Sequence, residues 1–204
     1  MQLVLTIADP SIVCAVVPHG ETAVIARLLT LEAGLVGAYV AGGRGRQLRP
    51  VLIPGNLVAG EVRARAESQL PFARLELVRS RGPWLGEPLP AAAIVWATAL
   101  AAAALPEHQP FPALHSALTA LLDAVCAAPS ARGWLPALVA YEVLTLRELG
   151  YGAPASLPDA QDIPANLALL DRLGDRLARY ALAHRHSDVM AARAILRDRL
   201  GRIG

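Results

Sequence analysis

At 204 residues the chain can bury one large core or two small ones, and a formal net charge of only +2 gives the whole molecule a weak field. Its longest apolar run, "AAAIVWATALAAAAL" (Ala91–Leu105), is fenced by Pro88, Pro90 and Pro106 and falls short of the ~20 residues a bilayer-spanning helix needs. The start, "MQLVLTIADP", lacks the basic and long apolar regions of a signal peptide, so the expected compartment is cytoplasmic with no membrane contact; two cysteines, Cys14 and Cys126, make neither a disulfide framework nor a zinc pattern.

Every basic residue is an arginine, a planar and permanently charged fork suited to phosphate. Residues 1–82 hold nine arginines against six carboxylates, and the rest hold ten against eleven, so the positive excess lies in the N-terminal part.

That part reads as β. "SIVCAVV" (Ser11–Val17) is an apolar, β-branched run stopped by Pro18 and Gly20. "TAVIARLLTL" (Thr22–Leu31) has strand length, although its composition would also suit a helix, and "EAG" (Glu32–Gly34) makes a turn. "LVGAYVAGG" (Leu35–Gly43) is a third strand. In "NLVAGEVRARAE" (Asn56–Glu67), Glu61, Arg63, Arg65 and Glu67 alternate with Val62, Ala64 and Ala66. In "FARLELVRS" (Phe72–Ser80), Arg74 and Glu76 oppose Ala73, Leu75 and Leu77. Period 2 over such lengths indicates half-buried antiparallel strands, and five short strands suit the five-stranded OB-fold barrel.

The Pro/Gly joint "WLGEPLP" closes this region. The expected architecture is α+β: an OB-fold domain over 1–82 and an all-helical domain over 83–204. Helices are expected near 91–105, 112–127, 134–149, 164–183 and 188–201. In the third, Leu135, Leu138, Val139, Glu142, Leu146 and Leu149 keep helical spacing and Gly150 stands at C′. In the fourth, Leu169, Leu170, Leu173, Leu177 and Tyr180 form one stripe, with Asp171, Arg172, Asp175, Arg176 and Arg179 on a solvated face.

Catalytic patterns are missing. "GGRGRQ" is neither a dinucleotide fingerprint nor a Walker loop, no serine sits in GxSxG, and His19 with Glu21 has no nucleophile beside it. His108 with His115, and His184 with His186, lack metal-site spacing, so neither metal nor cofactor is expected. A phosphate grip fits better. Arg44, Arg46 and Arg49 stand on the glycine-bearing loop "AGGRGRQLRPVLIPGN" (Ala41–Asn56), and Arg63 and Arg65 would extend their surface along a strand. Tyr39 and Phe72 are the aromatics available for stacking, while Glu61 and Glu67 are placed to neutralise Arg63 and Arg65. Nucleic-acid binding and a protein-interaction module both remain open on these residues alone.

The order "PHGET" (Pro18–Thr22), "RLLTLEAGLVGAYVAGGRGR" (Arg27–Arg46) and "LRPVLIPGNLV" (Leu48–Val58) resembles the N-terminal domain of the RecO family of recombination mediators. "WLPALVAYEVLTLRELGYG" (Trp134–Gly152) and "LARYALAHRHSDVMAARAILRDRLGR" (Leu177–Arg202) resemble its helical part, so the similarity spans nearly the whole chain in order. The resemblance implies a non-enzymatic DNA repair protein associated with the nucleoid. Such a protein binds single- and double-stranded DNA, anneals complementary strands, and contacts the acidic C-terminal tail of single-strand-binding protein. With RecR it helps load RecA. Arg44, Arg46 and Arg49 fall on the family's basic loop, and Arg27, Arg63 and Arg65 on its barrel strands. The chain departs from many relatives in lacking a cysteine cluster after Gly152, and in carrying Val139 and Ala140 where a basic residue often precedes the position of Glu142. Arg132 or Arg147 would then clamp the partner's tail. The competing reading is a scaffold that keeps the fold and partner binding but has lost strong DNA binding; an OB-fold hydrolase or transferase would need an acid–base cluster around His19.

Overall fold

The computed structural model describes residues 3–64, 70–152, 154, 156–183 and 188–202. It contains two compact units: Met1–Gly86 with Leu105–Pro112, and Glu87–Ala104 with Ala113–Gly204. The segment Leu105–Pro112, which the sequence places among the helices, therefore belongs with the strands. Backbone contacts explain this. His108 N–H donates to the Leu35 carbonyl (3.0 Å), and Leu35 bridges to Glu107 in parallel. Gly34, with φ +69°, lies so close that a Cβ there would stand 1.9 Å from the Gln109 carbonyl oxygen.

The first unit is a closed barrel of five strands: β1 (Leu3–His19), β2 (Ala23–Thr30), β3 (Gly34–Val40), β4 (Leu57–Ala64) and β5 (Phe72–Arg79). The order around the barrel is β1-β2-β3-β5-β4, antiparallel except for β3 beside β5. This is the OB-fold barrel expected from sequence. β1 starts earlier than its apolar run suggests. A register shift between Ile7 and Ser11 absorbs the "ADP" stretch, so one long strand pairs with β4 along its first half and with β2 along its second. Val13, Val24, Ala26, Leu28, Val36, Ala38, Val40, Val58, Val62, Ala73 and Leu75 fill the interior at alternating positions. Leu77 breaks the predicted alternation and is exposed; the pairing of β4 with β5 shifts register between Leu57 and Val58, at that end of the strand.

The second unit is helical: α1 (Pro88–Ala104), α2 (Pro112–Ala127), α3 (Leu135–Glu148), α4 (Ile163–Arg176) and α5 (Asp188–Leu200). Among the described residues no helix is long and apolar enough to cross a membrane. α4 starts at an N-cap, Asp162, whose carboxylate accepts from Ala165 N–H (2.9 Å), with Pro164 in the first turn. It continues into a π-helical turn, Leu177–Ala181. That wider turn defeats the predicted stripe: Leu169, Leu170, Leu173 and Leu177 are buried, but Tyr180 is exposed.

Between the helices lies a charged interior. Glu142 of α3 is fully buried, and its carboxylate accepts from Trp96 Nε1 of α1 (2.8 Å) and from Arg193 Nε and Nη2 of α5 (3.1 and 2.8 Å). Arg193 also donates to the Leu170 carbonyl of α4 and lies over the Trp96 ring at 5.6 Å. Burial pushes the Glu142 carboxyl up, and Arg193 and Trp96 oppose it.

Candidate nucleic-acid interface

The β3–β4 loop is built to lie flat on the barrel. Gly42 has φ +64°, and Gly43 is buried where a Cβ would meet Val24 Cγ2 at 2.5 Å. The loop then turns on its own backbone: Arg49 N–H donates to Gly45 O (2.9 Å), and Val51 and Leu52 N–H both donate to Leu48 O (3.0 Å each). Buried Asn56 fixes its far end. The amide Nδ2 donates to Pro50 O (2.9 Å) and Val51 O (3.0 Å), and Oδ1 accepts from Arg81 N–H (2.7 Å). The glycine-bearing loop is thus a folded platform.

Its three arginines are exposed. Arg44 reaches the β1–β2 turn, donating to Glu21 O (3.0 Å) and Gly20 O (3.4 Å), while Thr22 O accepts its backbone N–H (3.0 Å). Among the described residues, none of Arg44, Arg46 and Arg49 is ion-paired with a carboxylate. Arg44 and Arg49 border a recess of about 320 Å³ at the barrel mouth, floored by Val16, Pro18, Val24 and Leu52.

The strand arginines differ. Arg63 is exposed but paired with Glu61 on the same strand (2.6 Å). Arg27 is mostly covered and paired with Glu107 (2.9 Å). Arg65 lies outside the described residues, as do His184 and His186. Surface pairs of this kind are screened and exchange partners readily, so Arg63 keeps the freedom to turn to another anion.

Register joins these residues to a feature that sequence alone leaves apart. Val17 pairs with Ile25, Ile25 with Tyr39, Tyr39 with Phe72, and Phe72 with Arg63, so one outward row crosses all five strands. Within it Tyr39 and Phe72 contact at 5.7 Å between centroids, and His19 meets Tyr39 edge-on at 5.8 Å. Phe72 is 40% exposed. Tyr39 and Phe72 stand 33 positions apart in the chain, and only the β3–β5 adjacency of this barrel makes them neighbours.

His19 therefore sits in an aromatic cluster, without a nucleophile among its ring contacts. Cys14 is buried, and burial pushes its thiol up to about 12, which leaves it protonated at neutral pH. Among the described residues no three His, Cys, Asp or Glu side chains gather as a metal site.

In the helical unit, Arg132 is exposed at the edge of an apolar recess of about 410 Å³, whose walls include Leu135, Ile163, Pro164, Leu167 and Leu200. Arg147 does not join it. Its guanidinium donates to the Pro154 carbonyl at 3.4 Å.

The family model described as "Recombination protein O N terminal" matches residues 1–81, and that described as "Recombination protein O C terminal" matches residues 88–156. Three similar curated proteins each bear the name DNA repair protein RecO. That of Phenylobacterium zucineum is 38% identical over 176 residues, covering 85% of this chain and 71% of the relative. That of Rhodospirillum rubrum is 36% identical over 195 residues, covering 93% and 77%. The chain belongs to the RecO family. The RecO of Rhodospirillum centenum is 44% identical over 145 residues, covering 71% of this chain but only 56% of that protein's length. The gap between the two family matches, residues 82–87, overlaps the Pro/Gly joint.

Proposed function

We propose that this RecO-family chain binds DNA through the β3–β4 loop and the outward aromatic row of the barrel, and that it acts as a recombination mediator. The carrying observation is three exposed arginines, none ion-paired among the described residues, on a loop held rigid by Asn56. A pre-shaped loop loses less conformational entropy when phosphates bind than a flexible one does. The cluster of His19, Tyr39 and Phe72 supplies ring faces for unpaired bases, so single strands gain stacking that duplexes cannot. Duplex DNA meets the arginines alone.

Family membership supports the wider roles in this reading: annealing of complementary strands, work with RecR, and loading of RecA on strands coated by single-strand-binding protein. The recess beside Arg132 supports docking of that protein's acidic, apolar-ended tail, with the guanidinium on a carboxylate and the recess taking the apolar residue. Between the two positions considered for the clamp, this favours Arg132 over Arg147, whose guanidinium is engaged at Pro154.

Replacing Arg44, Arg46 and Arg49 together with alanine is expected to weaken binding of a labelled oligo(dT). It should also flatten the slope of log affinity against log salt by up to about 2, at roughly 0.7 per lost single-strand phosphate contact. Fluorescence anisotropy across a salt series measures both, and an unchanged slope would remove the loop from the interface. A scaffold that has lost DNA binding is the second reading, favoured by the pairing of Arg27 with Glu107 and of Arg63 with Glu61. It predicts tail binding without strand annealing.

A further inference from the structure

A second aromatic and basic patch lies in the helical unit, made of residues that the barrel interface does not use. α3 ends in a Schellman turn: Gly150, with φ +80°, donates to Arg147 O (3.0 Å), and Tyr151 N–H donates to Leu146 O (2.9 Å). This turn carries Tyr151 off the helix axis. From the other side, the π-helical turn after α4 takes Tyr180 out of the buried stripe. The two rings stack, with centroids 5.8 Å apart and planes 21° from parallel. Tyr151 is 42% exposed and Tyr180 41%.

One arginine meets the pair and two more hold the segment that carries Tyr151. The Arg179 guanidinium lies over the Tyr180 ring at 5.4 Å. Arg176 donates to Tyr151 O (2.9 Å) and Gly152 O (3.0 Å), holding the turn in place. Arg147 donates to Pro154 O of the same segment. Among the described residues, none of the three is ion-paired with a carboxylate. A ring pair this exposed adds little to the core, and three like charges around one segment repel each other. Single π-helical turns within helices are frequent at functional sites. Stacked rings beside uncompensated guanidinium groups match one ligand chemistry well: flat π-faces alternating with anionic phosphates. Duplex DNA hides its base faces, and a run of carboxylates alone gives the tyrosines nothing to stack on.

We propose that Tyr151, Tyr180 and Arg179, positioned by Arg176, form a single-stranded DNA contact in the helical unit, independent of the barrel's loop. A base stacks on the tyrosine pair and its phosphate meets Arg179. A chain with one such contact on each unit can hold two strands, which the pairing of complementary strands requires.

The test uses the full chain and an oligo(dT) containing 5-iododeoxyuridine, cross-linked by ultraviolet light and mapped by mass spectrometry. Adducts are expected on Tyr151 or Tyr180, and they should persist when Arg44, Arg46 and Arg49 are replaced by alanine. Tyr151→Ala with Tyr180→Ala should weaken oligo(dT) binding about tenfold, whereas the double change to phenylalanine should keep it within about twofold. An abasic oligomer of equal length should not distinguish the two variants. Adducts confined to barrel residues would overturn the proposal. So would unchanged affinity of the alanine variant, or a proline-rich peptide that binds the tyrosines and is not competed by oligo(dT). If the alanine variant fails to fold, the adduct map of the unaltered chain decides.

Discussion

Two buried polar anchors, one in each unit, work in different ways. In the barrel, a buried neutral amide, Asn56, anchors the β3–β4 loop, whose arginines Arg44, Arg46 and Arg49 stay outside. The helical unit buries a full ion pair, Glu142 with Arg193, against Trp96. Strand pairing already fixes the register of the barrel, so Asn56 only has to tie down a loop. The helices lack that constraint. α1 is rich in alanine, and small flat faces slide on one another with little change in packing. Three charge-assisted bonds at one place distinguish a single arrangement of α1, α3 and α5 from its neighbours. A loop anchor and a helix lock thus differ in how much is lost when one member goes.

Removing the cation from the lock should cost most. Arg193→Ala leaves Glu142 fully buried without its counter-charge, a change expected to destabilise the helical unit by about 3–5 kcal/mol. Urea unfolding followed by tryptophan fluorescence reads it, since Trp96 sits on the carboxylate itself. A loss under about 1 kcal/mol would mean that the pair holds nothing together and that the contrast with the barrel is false.

Asn56→Ala tests the barrel's side. It strips carbonyl partners from Pro50 and Val51 and leaves the buried Arg81 N–H without the side-chain acceptor it has now. The expected loss is about 2–3 kcal/mol. Oligo(dT) affinity should fall as well, although no charge has changed, because the arginine platform loosens. Lost stability with intact affinity would show that the loop's rigidity is irrelevant to binding.

Gly174→Ala sharpens the comparison from within the lock. Inside an exposed helix this change normally stabilises by about 1 kcal/mol. Here a Cβ would stand 2.2 Å from Arg193 Nη1 and 2.9 Å from its Cζ. The guanidinium must leave Glu142 to make room, so the expected sign is reversed, with a loss of about 1–3 kcal/mol. In the Arg193→Ala background the same substitution should become neutral or favourable. A double-mutant cycle of thermal unfolding measures the coupling, and additivity would refute it.

Much of this was legible in the sequence, for reasons that can be named. The alternation in β4 and β5 and the apolar runs of β1 and β3 exposed the barrel because each strand has one face in the core. Gly150 marked the end of α3 because only a left-handed residue closes that turn. Glu142 was correctly placed on the buried stripe, but its partner was not recognisable: Arg193 lies 51 positions away, and pairing across a helix bundle leaves no periodic trace. Tyr180 was misplaced because a period of 3.6 cannot foresee one wide turn. At the candidate interface, the loop arginines stood out by their spacing among glycines. The withdrawal of Arg27 onto Glu107 and the meeting of Tyr39 with Phe72 did not, since both depend on which segments lie side by side.

The smallest expected effect comes from the partner of a residue on the same helix as the largest. Arg197 of α5 binds Asp171 of α4 in a fork, through Nε (2.5 Å) and Nη2 (2.8 Å), four positions along from Arg193. Those hydrogen bonds hold the Asp171 carboxyl below the ordinary aspartate range. A depressed folded value means that the aspartate's contribution is present above its unfolded pKa of about 3.9 and is lost as pH falls through the folded value. Asp171 is half exposed, so water and salt screen the pair, and Asp171→Asn should cost only about 0.2–1 kcal/mol at neutral pH. Urea midpoints of the two proteins should converge as pH drops below about 4, and also in high salt. Arg193 and Arg197 share a helix and a charge, and each binds a carboxylate of its own. If Asp171→Asn cost as much as Arg193→Ala, burial would not be what separates the helical lock from the surface.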